Sequence, residues 1–105
     1  MQAEPEVTAI RRVSFEAPHP AGGVRPYVLE VAVTGPLDSS GYVVDFFELE
    51  RLLKAAVSTL DFPRPAERLA VACWRELEPR LAPPARLTRV VLWETPNQGA
   101  EYHGQ

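Results

Sequence analysis

Apolar and polar positions alternate from Val7 to Ala17: Val7, Ala9, Val13, Phe15 and Ala17 lie between Thr8, Arg12, Ser14 and Glu16. A period of two predicts a strand with one buried face. Ile10 and Arg11 break the pattern. Pro18-His19-Pro20-Ala21-Gly22-Gly23 reads as a turn, and Tyr27 to Thr34 (YVLEVAVT) as a second strand, antiparallel to the first because the loop between them is short. The period then changes. Tyr42-Val43-Val44 reads as the end of a short strand, after which Leu49, Leu52, Leu53, Ala56, Val57 and Leu60 recur every three or four residues. Glu50, Arg51, Lys54 and Ser58 occupy the other side, so the spacing predicts an amphipathic helix of about four turns. Asp45 and Glu48 have the spacing of a capping box at its start.

Asp61-Phe62-Pro63-Arg64-Pro65 stops that helix, and Pro65 suits the first turn of a second one, where its missing N–H costs nothing. Leu69, Ala70, Cys73, Trp74 and Leu77 would form its buried face. Pro79 and Pro83-Pro84 end it. Leu87 to Glu94 (LTRVVLWE) is a third full strand, and Gly99 to Gly104 a short last one. The order β-β-α-α-β-β implies an α+β fold: a four-stranded antiparallel sheet with two helices packed on one face. The chain of 105 residues fits a single domain, 1–105, with the polar residues 1–6 expected to be flexible.

Composition narrows the functional classes. A net charge of −3 and a pI near 5.3 argue against nucleic acid, because phosphate contacts need a concentrated basic surface. No apolar run approaches the length of a membrane span, and the N-terminus lacks a basic start followed by an apolar core. A single cysteine, Cys73, has no internal disulfide partner, which fits the cytoplasm. Its place on the apolar face of the second helix reads as packing rather than nucleophilic chemistry. Eleven prolines lie between the periodic segments, not inside them.

Several short motifs, in the same order as these elements, resemble the 6-pyruvoyltetrahydropterin and 6-carboxytetrahydropterin synthase family, whose architecture is the tunnelling fold (T-fold). Phe15-Glu16-Ala17-Pro18-His19 stands where that family has Phe-x-Ala-x-His. Gly41-Tyr42-Val43-Val44-Asp45-Phe46-Phe47-Glu48-Leu49 matches its entry to the first helix, and Glu67-Arg68-Leu69-Ala70 echoes the opening of the second. Glu94-Thr95 matches the Glu-Thr that ends the penultimate strand, and Tyr102-His103-Gly104 a Tyr-x-Gly ending. The resemblance implies ligand-binding roles for Glu94 and Thr95, with Glu94 anchoring a pterin through paired hydrogen bonds from the ring N–H and exocyclic amine. An exposed acid at a strand end is the alternative for Glu94.

The departures from the family pattern are equally specific. Its zinc is held by three histidines, of which only His19 is matched. The family's His-x-His reads Gly23-Val24-Arg25, and zinc needs three or four donors. His19 is therefore expected to be a surface remnant of the metal site, and zinc to be absent. No cysteine lies near the shortened loop that carries the family's catalytic cysteine. Leu60-Asp61-Phe62 stands for Leu-Asp-His, leaving Asp61 as a catalytic remnant without the imidazole it would orient. His103 reads as solvated, and Trp74 and Trp93 as packing. Three readings follow. The first is a divergent protein keeping a pterin- or purine-type pocket at a subunit interface without the lyase reaction. The second is an active synthase-like lyase acting on dihydroneopterin triphosphate. The third is a structural or regulatory subunit. The resemblance also implies a homo-oligomer, trimer or hexamer. Val31, Val33, Val90 and Leu92 would need a second partner if they point away from the helices.

Overall fold

In a computed structural model of the protein, residues 5–105 are described. The chain forms β1 (Glu6–Pro18), β2 (Val24–Pro36), α1 (Phe46–Thr59), α2 (Ala66–Leu77), β3 (Arg86–Thr95) and β4 (Gln98–Tyr102), with a 3-10 turn over Glu78–Arg80. The strands make one antiparallel sheet in the order β1-β2-β3-β4. Glu6 already belongs to β1 and meets Arg86 through two contacts of 2.9 Å. Residues 1–4 lie outside the described residues.

The hairpin register explains the break at Ile10 and Arg11. Arg11 pairs with Val31 and Ile10 with Ala32, so alternation of side-chain direction is unbroken while hydrophobicity is exchanged. Arg11 reaches over the sheet edge to Glu50 of α1, 3.0 Å away. Glu50 therefore does not simply face solvent. It also receives Lys54 at 3.0 Å, and these cations hold its carboxyl below the ordinary value, Lys54 contributing most.

The two helices cover one sheet face. Leu49, Leu53 and Ala56 of α1, with Leu69, Ala70, Cys73, Trp74 and Leu77 of α2, are buried against Leu29, Val31, Val33, Leu87, Val90 and Leu92. Each such leucine contributes roughly 1.5–3 kcal/mol on burial. Val31, Val33, Val90 and Leu92 thus lie under the helices, and no second partner is needed to cover them. A bulge accounts for part of this. Register shifts at Ala32/Val33, so Leu87 and Val90 face the core while Thr88 and Arg89 between them face out. Thr88 bonds the Ala32 carbonyl and Thr34, and does not share a face with Val90, Leu92 and Glu94 as strict alternation predicts.

Asp45 caps α1, accepting from the N–H groups of Phe47 (2.8 Å) and Glu48 (3.4 Å). The reciprocal half of the capping box does not form, because the Glu48 carboxylate turns to Arg51 at 2.9 Å. Tyr42-Val43-Val44 is not a strand. Asp38 organises this segment as a loop, its carboxylate accepting from Ser40 and Tyr42 and its N–H donating to the Tyr42 carbonyl. With these bonds made locally, the backbone has no need of a sheet neighbour. No helix among the described residues is long and apolar enough to cross a membrane.

Candidate functional site

The end of β1, the start of β2, the end of β3 and the exit from α1 meet at one end of the sheet. Phe15 pairs with Tyr27 in the hairpin, and their rings stack with centroids 5.4 Å apart. Phe62, just beyond α1, packs its ring 5.9 Å from Phe15 and 6.0 Å from Tyr27. Where the resemblance would place a catalytic imidazole, this chain inserts an apolar ring into an aromatic cluster. Asp61 beside it points away, three-quarters exposed and paired with Arg64 at 2.6 Å. It joins none of the other site residues.

His19 is not a surface imidazole. Its side chain is 15% exposed, and Nε2 lies 3.4 Å from Oε1 of Glu94, itself 25% exposed. The ring sits 6.2 Å from that of Tyr27. In the sequence His19 reads as a metal-site remnant and Glu94 as a ligand anchor, with nothing joining them; the fold brings them into contact. Tyr27 went unnoticed in the sequence. It is buried, its hydroxyl has no hydrogen-bond partner among the described residues, and burial pushes its pKa up, with the nearby Glu94 charge adding to the shift. The position follows from register: the turn over residues 19–23, closed by the Pro18–Val24 pair, sets Tyr27 opposite Phe15.

Beside this cluster lies a cavity of about 440 Å³, lined by Arg12, Tyr27, Val28, Trp93, Glu94 and Thr95 together with Pro26 and Pro96. Most of the lining is apolar, with Glu94 and Arg12 as the charged members. Thr95 is exposed, and its hydroxyl accepts from the Asn97 N–H at 3.1 Å, which shapes the β3–β4 turn. A second irregularity, between Trp93 and Thr95, sets Glu94 out of regular pairing with β4. Cys73 lies elsewhere, fully buried, with burial pushing its thiol up to about 12. His103 lies on the sheet face away from the helices, 2.7 Å from Glu101.

The zinc implied by the resemblance requires three or four donors in tetrahedral array. Gly23, Val24 and Arg25 contribute none, and the described residues contain no group of three His, Cys, Asp or Glu side chains placed to hold a metal ion. His19 and Glu94 alone do not fit such a site.

Comparison with known proteins supplies the context for this arrangement. No curated protein matches the chain. Among solved structures, that of Caenorhabditis elegans 6-pyruvoyl tetrahydropterin synthase is similar, with a TM-score of 0.85 and 23% identity over 100% of both chains. This similarity gives the fold: the four-stranded sheet and helix pair are those of the T-fold. The model of the family described as 6-pyruvoyl tetrahydropterin synthase matches residues 25–105, a span that includes Glu94 and Thr95 but begins after His19. With most of its length matched in this way, the chain belongs to the 6-pyruvoyl tetrahydropterin synthase family.

Proposed function

We propose that this chain is a divergent family member that binds a pterin- or purine-like heterocycle through Glu94 without carrying out a zinc-dependent lyase reaction. The observation that supports this most is the half-buried Glu94 carboxylate at an apolar cavity beside aromatic residues. A carboxylate with free lone pairs accepts two parallel N–H bonds from a ring edge, and the surrounding apolar surface favours a flat ring. Two features at the same end of the sheet support the loss of the lyase reaction. Phe62 replaces the partner of Asp61, and the donor set around His19 is too small for zinc.

The functional unit in this reading is a homo-oligomer, a trimer or hexamer, with the pocket at a subunit junction. Val7, Ile10, Tyr42, Phe46 and Phe47 support it, being large apolar side chains left exposed along the β1 edge and the approach to α1. Monomeric proteins rarely leave such groups contiguous.

Calorimetric titration with pterin, neopterin and guanine tests the proposal. Binding of at least one is expected, together with no turnover of dihydroneopterin triphosphate when zinc is added. Turnover would restore the synthase reading, and failure of all three ligands would favour a structural subunit.

A further inference from the structure

We infer that His19 is a positioning residue whose Nε2–H lies against the Glu94 carboxylate and orients it electrostatically, and that its local turn opposes metal ligation. The evidence begins at the other ring nitrogen. The Ala21 backbone N–H donates to His19 Nδ1 at 2.9 Å. A neutral imidazole has one donor and one acceptor nitrogen, so an Nδ1 that accepts leaves the proton on Nε2. That Nε2 faces Glu94 Oε1 at 3.4 Å. The Nε2–H dipole therefore lies beside the carboxylate, within electrostatic range.

The turn holds this tautomer in place. Gly22 N–H donates to the His19 carbonyl at 2.8 Å, and His19 N–H to the Gly23 carbonyl at 2.9 Å. Gly22 and Gly23 adopt φ of 99° and 75°, values that residues with a Cβ rarely take. The Ala21 N–H is therefore carried to Nδ1 by a tight loop between Pro18 and Val24, which are paired in the sheet. Zinc on Nε2 would need the lone pair there and the proton on Nδ1. A metal-bound histidine ordinarily donates that second N–H to an acceptor. Here it would meet another N–H donor at 2.9 Å. Ligation through Nδ1 would break the Ala21 bond instead.

For Glu94 the consequence is orientation. With Oε1 beside His19 Nε2, the carboxylate keeps lone pairs for further donors. The inference deepens the reading of Glu94 as the anchor of the site, but its test uses no heterocycle, so the two fail separately.

Ring ¹⁵N and ¹³C chemical shifts of labelled protein, recorded well above the ordinary imidazole pKa of about 6.5, report the tautomer directly. The only other histidine, His103, is removed for assignment by His103→Gln. The expected result is the Nε2–H tautomer, with shifts unchanged by one equivalent of zinc. An Nδ1–H tautomer, or a zinc-dependent shift at the His19 nitrogens, would overturn the inference. The Glu94 carboxyl ¹³C shift is the second readout. It should move in His19→Leu and return toward the parent value in His19→Gln, whose amide restores a donor. A Glu94 signal indifferent to His19→Leu would overturn the positioning role.

Discussion

Arg89 donates to Glu30 at 2.7 Å on the sheet face that the helices leave open, where the Glu30 side chain is only 5% exposed. Arg12 approaches the other carboxylate oxygen at 2.6 Å, and Arg89 continues to Glu101 at 3.3 Å. One charge chain therefore crosses all four strands. Removing a partner from a buried pair leaves the remaining charge uncompensated, at a cost of about 3–5 kcal/mol when both are fully buried. Arg12 and Arg89 are partly exposed and recover some hydration. Glu30→Ala should therefore lower stability by about 1–3 kcal/mol, measured by urea unfolding at fixed protein concentration. A change within about 0.5 kcal/mol would mean that the chain contributes no net stability.

Among the described residues, Asp45 supplies the side-chain cap at the start of α1. Asp45→Ala should cost about 1 kcal/mol, whereas Asp45→Asn, which keeps an acceptor, should cost much less. Thermal unfolding of the two variants separates them. Because the Glu48 carboxylate bonds Arg51 rather than the Asp45 N–H, Glu48→Ala should behave as a surface substitution.

Cys73 gives a pH dependence of defined sign. Burial raises its pKa from 9.0 to about 12, so above pH 9 the unfolded chain releases a proton that the folded chain keeps. Folding stability should fall as pH rises beyond that point, by up to about 1.4 kcal/mol per pH unit from this group. The same burial should leave the thiol unreactive toward a disulfide reagent at pH near 8 until denaturant is added. Prompt labelling of the native protein would contradict the packing.

How far the fold could be read follows from what periodicity reports. Period two and period three-to-four specify which face of an element is apolar, and they place β1, β2, α1, α2 and β3 with their connections. They do not report the extra residue of a bulge. The shift at Ala32/Val33 turns Thr88 outward, so strict counting along β3 assigns it to the wrong face. Nor do they separate a short apolar loop from a strand, as Val43 and Val44 show by packing on the core without joining the sheet. At the site, Glu94 and His19 stood out as single residues. Their contact was hidden because it joins a turn after β1 to the end of β3, 75 positions later in sequence numbering.

Light scattering tests the oligomer. A trimer or hexamer is expected at micromolar concentration, and Phe47→Glu, at a side chain 81% exposed, should weaken assembly without unfolding the chain. A parent protein that remains monomeric would remove the subunit junction from the proposed pocket.

The most direct test of the central claim is calorimetry of the parent and Glu94→Gln with whichever of pterin, neopterin or guanine the parent binds. Each hydrogen bond to a charged acceptor contributes roughly 1.5–3 kcal/mol, and about 1.4 kcal/mol corresponds to tenfold in affinity. Replacing one carboxylate oxygen by an amide N–H sets a donor against a ligand donor. Loss of at least tenfold in affinity, with the oligomer unchanged, is the expected result. A Glu94→Gln protein that binds as tightly as the parent would contradict the assignment of Glu94 as the anchor.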